Sequence, residues 1–214
     1  MKDGYGRQIQ YLRVSVTDRC NLRCRYCMPE TGVDPISHKE VLTFDEILRL
    51  VRVAAGLGVK RVRLTGGEPL VRKGLPDLAA DIKQIPGVEF LGLTTNGVQL
   101  ADMASHLYQA GVDGINVSID TLDNARYAYM TRRDELRKAI HGLHAALALP
   151  FRSVKVNSVL APDSQPTDWL GVLGLAKEHP VGLRLIEWIP MAGETDKGGT
   201  SAACALRLIA EPYG

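Results

Sequence analysis

The sequence predicts an α/β fold in which six parallel strands alternate with helices and curve into a partial, TIM-like (βα)6 barrel. Three observations support this prediction. Short β-branched runs alternate with helical periodicities along the whole chain. Polar side chains share one face of several strands, and aliphatic side chains share the other. The residues with distinctive chemistry follow the strands directly, at the edge where parallel α/β folds bind their ligands.

Size and composition fit one large domain. The chain has 214 residues, 45% of them apolar, which is enough for a substantial core. The formal net charge is +2, and no block of Lys and Arg exceeds a pair, so no nucleic-acid groove is expected. The first six residues lack the apolar core of a signal peptide, and no apolar run of about 18 residues occurs. We therefore expect a cytoplasmic protein that binds neither nucleic acid nor a membrane.

The predicted elements follow the alternation in order. We expect strands at residues 12–17, 61–65, 89–94, 114–119, 153–159 and 182–188. We expect helices at residues 44–56, 75–84, 100–111, 134–149, 167–178 and 201–210. The first helix has the clearest signals, because Thr43 and Glu46 fit a capping box and glycines follow its apolar face. Strict alternation of strand and helix predicts a parallel sheet with right-handed crossovers.

The polar residues of the strands recur at every second position, and therefore lie on one face of each strand. They are Arg13, Ser15, Thr17, Arg63, Thr65, Asn116, Ser118, Asp120, Lys155 and Asn157. An antiparallel sheet with one wet face, or a flat doubly wound sheet, are the alternatives to a barrel. In a curved sheet this face lines a lumen, where cationic and amide side chains are costly to bury unless paired. We therefore expect the lumen to bind a polar, anionic ligand.

Three cysteines follow the first strand in a C-x3-C-x2-C arrangement. Cys20, Cys24 and Cys27 can ligate three irons of a [4Fe–4S] cluster and leave the fourth iron open for a ligand. A zinc site would need a fourth ligand that the spacing does not supply, and a disulfide at these spacings would be strained. Cys204 lies far away in a helical pattern, where we expect it to be a small core residue.

Glycine-containing and polar segments follow the next strands. A Thr-Gly-Gly-Glu-Pro segment at 65–69 follows the second strand, where Gly66 and Gly67 allow close backbone approach and Glu68 can accept hydrogen bonds from an ammonium group. A Thr-Thr-Asn-Gly segment at 94–97 follows the third strand, and Ser118 ends the fourth. Alone such a glycine turn is a weak signal, but together with the cysteines it becomes specific.

With these motifs the chain resembles the radical S-adenosylmethionine superfamily and, within it, the GTP 3′,8-cyclases of molybdenum-cofactor biosynthesis. The resemblance is carried by residues 12–29, 42–46, 62–72, 92–97, 115–120 and 154–157. It implies a partial barrel of the radical S-adenosylmethionine type, whose cofactors are a [4Fe–4S] cluster and S-adenosyl-L-methionine. It implies a lyase that cleaves S-adenosylmethionine reductively to a 5′-deoxyadenosyl radical. That radical would abstract hydrogen from C3′ of GTP and lead to 3′,8-cyclo-GTP.

The resemblance also implies roles for individual residues. Cys20, Cys24 and Cys27 would ligate the cluster and carry the catalysis. The contacts with S-adenosylmethionine would come from Tyr26, Gly66, Gly67, Glu68, Ser118, Asn157, Arg184 and Ile189. The contacts with GTP would come from Arg13, Arg63, Thr94 and Lys155. Ile189 stands where the family often has Met, a change that a backbone contact would survive.

The resemblance finally implies partners and the extent of the chain. The family continues beyond this length into a region with a second cysteine triad, so we expect residues 1–214 to form one domain without it. The implied partners are GTP, an electron donor such as flavodoxin or ferredoxin, a downstream cyclic pyranopterin monophosphate synthase that takes the product, and a second copy in a homodimer. The alternatives are a radical enzyme acting on a peptide or another nucleotide, and a non-catalytic iron–sulfur or zinc module.

Overall fold

The computed structural model describes residues 2–34, 36–37, 40–189 and 201–213. Its six strands are β1 (Tyr11–Ser15), β2 (Arg61–Thr65), β3 (Phe90–Thr95), β4 (Gly114–Ser118), β5 (Ser153–Leu160) and β6 (Gly182–Glu187). Its helices are α1 (Phe44–Gly56), α2 (Leu75–Lys83), α3 (Leu100–Gln109), α4 (Asn124–Thr131), α5 (Leu136–Leu147), α6 (Pro166–Glu178) and α7 (Ala202–Tyr213), and a 3-10 helix covers Pro69–Val71.

The strands form one sheet in the order β1-β2-β3-β4-β5-β6, and every pairing is parallel. A doubly wound sheet reverses its strand order at a switch point, whereas a barrel adds each strand beside the previous one. The observed order therefore confirms the α/β partial barrel and rules out the flat alternative.

Most predicted elements are confirmed to within a few residues, and β2 and α1 have the predicted bounds. The capping box of α1 is present, with Thr43 and Glu46 bonded to each other's backbone N–H groups. The sequence analysis missed α4, whose apolar residues are too few to show helical periodicity. Its available signal was Asp123, whose carboxylate accepts a hydrogen bond from the Arg126 N–H at 2.7 Å as an N-cap.

The main core lies between the aliphatic face of the sheet and the helices. Leu64, Leu93, Ile115 and Val117 of the central strands are completely buried there. Burying side chains of this size contributes about 1.5–3 kcal/mol each to stability. The aliphatic face is therefore the structural face of the sheet, which leaves the opposite face for a ligand.

A smaller apolar cluster lies at the end of the chain, where Ala205 of α7 packs with Leu160 and Trp169. The prediction that Cys204 is a core residue is wrong, because its side chain is exposed. Adjacent residues of a helix point about 100° apart, so Ala205 is buried while its neighbour Cys204 faces outward. Among the described helices, none is both long and apolar enough to cross a membrane.

Candidate active site

The polar residues of the strands form one continuous face. Arg13 pairs in register with Arg63, and Thr94 pairs with Asn116, which pairs with Lys155. One level closer to the carboxyl ends, Ser118, Asn157 and Arg184 are neighbours across three strands. Residues paired in a parallel sheet project to the same face, so the predicted polar lumen face is confirmed.

Arg63 is held in place by neutral groups. It is only 8% exposed, and its Nε donates to the Tyr11 hydroxyl at 2.9 Å and its Nη1 to the Leu93 carbonyl at 3.0 Å. Its guanidinium lies over Gly92, where a Cβ atom would be 2.7 Å from the guanidinium carbon. Gly92 is therefore required by the close approach of Arg63.

The cations of this face have no anionic partner in the described part of the chain. No carboxylate forms an ion pair there with Arg13, Arg63, Lys155 or Arg184. Burial lowers the pKa of Arg63 and that of Lys155, and the positive charge of Arg184 lowers both further. We call Arg13, Arg63, Lys155 and Arg184 the cation row. Their mutual repulsion would be relieved by a bound anion, which is the property expected of a phosphate site.

The three motif cysteines lie in the loop after β1, at the carboxyl edge of the sheet, and all three are free thiols. The loop turns tightly, with the N–H groups of Cys27 and Met28 both donating to the Cys24 carbonyl at 3.0 Å. Burial raises the pKa of each thiol, and for Cys24 the nearby Asp120 contributes to a value of about 12. Because iron binds thiolates, loading a cluster must release these protons.

The donor set fits an iron–sulfur cluster better than a single ion. Within the described ranges, no three His, Cys, Asp or Glu side chains are arranged to hold one metal ion. A cubane attaches each cysteine to a different iron, so its ligands need not converge on one point. Cys20 Sγ already accepts hydrogen bonds from the Leu22 N–H at 3.4 Å and from Asn96 Nδ2 at 3.9 Å. Such bonds to sulfur tune the potential of a cluster.

The Gly-Gly-Glu segment packs directly on the start of the cysteine loop. The N–H groups of Gly67 and Glu68 donate to the carbonyls of Thr17 and Arg19, both at 2.7 Å. A Cβ atom at Gly67 would lie 2.3 Å from the Arg19 carbonyl oxygen. The glycines therefore let two backbone segments approach each other. The sequence analysis had expected them to allow close approach of a ligand only.

Glu68 connects three loops at the carboxyl edge. Its side chain is 1% exposed, and its oxygens accept from the Leu70 N–H at 3.0 Å, the Thr95 hydroxyl at 2.7 Å and the Asn96 N–H at 2.7 Å. Burial raises its pKa, although these three hydrogen bonds oppose the shift. Asn96 also donates to Asn21 Oδ1 at 2.7 Å and so continues the network into the cysteine loop. The sequence analysis did not single out Asn96.

A second buried carboxylate supports the loop near Cys27. The Tyr26 hydroxyl donates to Asp120 Oδ2 at 2.7 Å, and Asp120 Oδ1 accepts from the Val159 N–H at 2.8 Å. Burial raises the pKa of Asp120 to about 6. Burial also raises the pKa of Tyr26, and the charge of Asp120 adds to that shift. The pair joins the cysteine loop to β4 and β5, a contact between residues far apart in sequence.

Several buried polar atoms of the site lack partners within the described residues. They are Asn116 Oδ1, Asn157 Oδ1, Arg132 Nε and Trp188 Nε1. A cavity of about 290 Å³ is lined by Tyr26, Arg132 and Trp188 among others. Buried polar groups are otherwise almost always hydrogen-bonded, so these atoms indicate that a polar ligand completes the site.

The predicted site residues differ in where the structure places them. The polar face of the sheet carries the four residues of the cation row together with Thr94, Ser118 and Asn157. Ile189 lies two residues beyond β6 and is 75% exposed, so its side chain is not packed into the site. The roles of these residues toward a cofactor remain predictions.

Comparison with known proteins identifies the family. The family model described as the radical SAM superfamily matches residues 14–176. The chain is 47% identical over 209 residues to a GTP 3′,8-cyclase of Moorella thermoacetica, covering 98% of this chain and 62% of that protein. It is 42% identical over 193 residues to molybdenum cofactor biosynthesis protein 1 of Bos taurus, covering 90% of this chain and 30% of that protein. The chain thus spans less than two thirds of the length of these curated relatives.

Solved structures support the fold. Streptococcus suis SuiB bound to S-adenosylmethionine matches with a TM-score of 0.77 at 17% identity, covering 95% of this chain and 46% of that one. Methylornithine synthase matches with a TM-score of 0.71 at 15% identity, covering 97% of this chain and 63% of that one. At this identity the likeness concerns the fold. From the family match, the partial barrel and the three-cysteine loop together, we conclude that the chain belongs to the radical SAM superfamily.

Proposed function

We propose that this chain is the radical-generating domain of a GTP 3′,8-cyclase. The observation that carries the proposal is the combination of two features on one lumen. A loop of three free cysteines lies at the carboxyl edge, and a row of cations without carboxylate partners in the described residues lies on the adjoining sheet face. Relatives with this activity are 44–47% identical to the chain.

The cofactors of the proposal are a [4Fe–4S] cluster and S-adenosylmethionine. Cys20, Cys24 and Cys27 would hold three irons. When bound, and with one electron from the donor, these cofactors would supply a 5′-deoxyadenosyl radical able to take hydrogen from C3′ of GTP, so that the sugar could close onto C8 of the guanine. The protein binds, orients and shields the reactants.

The cofactor contacts follow from the groups that remain available. The amino group of the cofactor would donate to the acceptors of the Gly-Gly-Glu segment, which are the carbonyls of Gly66 and Gly67 and the Glu68 carboxylate, whose oxygens already accept from the neighbouring loops. Ser118 and Asn157 are in register beside each other for the ribose or carboxylate, and Arg184 adds a positive charge for the carboxylate. The backbone at Tyr26 would meet the adenine, and the backbone at Ile189 would add a contact.

The substrate contacts use the cation row. Arg13, Arg63 and Lys155 would bind the triphosphate, and Thr94, which is aligned with Lys155 through Asn116, would add its hydroxyl. A guanidinium presents a planar fork of donors that matches phosphate oxygens, and an ammonium adds a compact charge. This charge pattern favours GTP over an uncharged peptide as substrate.

The proposal extends to partners and location. An electron donor such as flavodoxin or ferredoxin would reduce the cluster in the cytoplasm. A cyclic pyranopterin monophosphate synthase would receive the product, and the enzyme would act as a homodimer. Residues 1–214 would form one domain, to which the relatives add a further region, since the chain covers 62% and 59% of two of them.

The test is anaerobic reconstitution of the full-length protein, followed by an iron count and turnover with GTP and S-adenosylmethionine. We expect a cluster, 5′-deoxyadenosine and a cyclised GTP product. Formation of 5′-deoxyadenosine without GTP binding would favour a radical enzyme with another substrate. About one zinc per chain and no iron would leave only a non-catalytic metal module.

A further inference from the structure

The C-terminal end of α4 is joined to the cysteine loop by backbone hydrogen bonds. The Arg23 N–H donates to the Thr131 carbonyl and the Arg25 N–H to the Met130 carbonyl, both at 2.9 Å. Arg25 Nε also donates to the Tyr129 carbonyl at 2.8 Å. The last carbonyls of a helix have no partner within it, and here the cysteine loop supplies their donors. The helix that the sequence analysis missed is therefore the support of the loop.

Arg132 closes this contact from the other side. Its Nη1 donates to the Arg23 carbonyl at 2.7 Å and to the Met28 carbonyl at 3.1 Å. These two carbonyls lie on either side of Cys24 and Cys27. One guanidinium nitrogen therefore ties together the two ends of the segment that carries two cluster ligands.

The backbone at Arg132 is unusual for its residue type. Its φ of 55° lies in the left-handed region, and within the described chain it is the only non-glycine residue with positive φ. A residue in this conformation normally follows a helix as glycine, because a Cβ atom is disfavoured there. A strained residue persists where the surrounding structure holds it, and here the hydrogen bonds of its side chain do so.

We propose that Arg132 is a positioning residue that presets the cysteine loop for the cluster. Its two hydrogen bonds hold the ends of residues 23–28, the segment that carries Cys24 and Cys27, in one conformation. Arg132 also lines the cavity of about 290 Å³ that Tyr26 and Trp188 line, so it contacts both the cysteine loop and this cavity. The inference rests on the cluster of the proposed function, but not on the identity of the substrate.

Two variants separate the side chain from the backbone. Arg132→Gly removes the side chain and relieves the left-handed strain, so a helix cap alone would be preserved or improved. Arg132→Met keeps an aliphatic stem and the strain but removes the donors. Arg133→Ala is the matched control, because Arg133 is the exposed neighbour and its guanidinium donates to the Arg132 carbonyl at 2.8 Å.

The experiment measures amide hydrogen exchange of residues 22–29 in the cluster-free chain, and iron loss to a chelator after reconstitution. We expect exchange in both Arg132 variants to be at least about tenfold faster than in the wild type, because two hydrogen bonds from a charged donor are lost. Iron loss should be several-fold faster, while Arg133→Ala behaves as the wild type. The free energy of global unfolding of Arg132→Gly should stay near that of the wild type.

Wild-type exchange and iron retention in Arg132→Gly would overturn the proposal, since Arg132 would then be only a tolerated cap. If Arg132→Gly does not fold, Arg132→Met decides, and wild-type behaviour of that variant has the same consequence. Exchange in the cluster-free chain involves neither GTP nor S-adenosylmethionine. A full-length protein that shows the Arg132 effect but no GTP turnover would therefore refute the proposed function and leave this inference standing.

Discussion

The cysteine loop and the cation row lie on the same lumen but are built in opposite ways. At the cysteine loop, the buried carboxylates of Glu68 and Asp120 have their acceptors used by internal donors. In the cation row, Arg13, Arg63 and Lys155 have no carboxylate partner in the described residues. The loop is stabilised before any cofactor binds, whereas the cation row is completed by its ligand. The first arrangement suits a permanent cofactor and the second suits a substrate that comes and goes.

The same contrast appears in the sign of the charges. Buried carboxylates surround the cysteine loop, and S-adenosylmethionine carries a sulfonium and an ammonium group. Cations line the sheet face, and GTP carries a triphosphate. The lumen therefore has two electrostatic ends that match the two proposed ligands. Substitutions at either end should therefore change different properties of the protein.

The largest effect should come from the cysteine ligands. Cys24→Ala removes one iron ligand, so we expect cluster iron to fall sharply and 5′-deoxyadenosine formation to drop below detection. Cys204→Ala is the control, since its thiol is exposed on α7 and outside the loop. Iron counting and product analysis after anaerobic reconstitution give the result. Equal losses of cluster iron in Cys24→Ala and Cys204→Ala would contradict the assignment of the cluster to the cysteine loop.

The next effect should come from the cation row. Arg63→Ala removes a cation, and Gly92→Ala places a Cβ atom 2.7 Å from the Arg63 guanidinium carbon and so displaces it. We expect both to weaken GTP binding at least about tenfold, because a charge-assisted contact is lost. Lys60→Ala is the control, since Lys60 pairs with Glu89 on the surface. Calorimetric titration with GTP measures the change, and unchanged affinity in Arg63→Ala would exclude the triphosphate assignment.

A substitution at Glu68 tests how much the hydrogen bonds that its carboxylate accepts stabilise the protein. Glu68→Gln keeps the shape but replaces one acceptor oxygen with a donor, which then faces an N–H or hydroxyl group. We expect a loss of about 1–3 kcal/mol in the free energy of unfolding, measured by denaturant titration. Glu89→Gln should change it by less than about 1 kcal/mol, since Glu89 forms only an exposed ion pair. A Glu68 variant as stable as that control would mean that the network does not brace the loops.

The raised pKa of Asp120 should make the stability of the protein depend on pH. Burial raises its pKa from 3.8 to about 6, so the folded state binds its proton more strongly than the unfolded state does. Stability contributed by protonated Asp120 is present below about pH 4 and lost as pH rises through about 6. We therefore expect the wild type to gain stability relative to Asp120→Asn between pH 7 and pH 5. Denaturant titrations of both cluster-free chains at the two pH values test this. The same difference in free energy of unfolding between wild type and Asp120→Asn at both pH values would contradict it.

The smallest effect should come from the Tyr26 hydroxyl. Tyr26→Phe removes one hydrogen bond to Asp120 and should lower the free energy of unfolding by about 1–2 kcal/mol. The loss should shrink in an Asp120→Ala background, because the partner is then absent in both proteins. A double-mutant cycle by denaturant unfolding measures this coupling. Strictly additive losses would show that the two residues do not support the loop as a pair.

Much of the fold and part of the site follow from local patterns. The alternation of strands and helices, the polar face and the cysteine spacing depend on residues a few positions apart. A strand alternates its side chains with a period of two, so the sequence alone places Arg13, Arg63 and Lys155 on one face. The three-cysteine loop needs only one short segment to define its chemistry.

Other features depend on contacts that no local pattern contains. The Arg132 contact joins residues 109 positions apart, the Tyr26–Asp120 bond spans 94, and Glu68 reaches Asn96 across 28. The exposure of Cys204 depends on which side of α7 faces Leu160 and Trp169. Composition and periodicity determined the kind of site, because those signals are repeated along the chain. Only the tertiary structure decided which side chains brace it, because hydrogen bonds require atoms to meet in space.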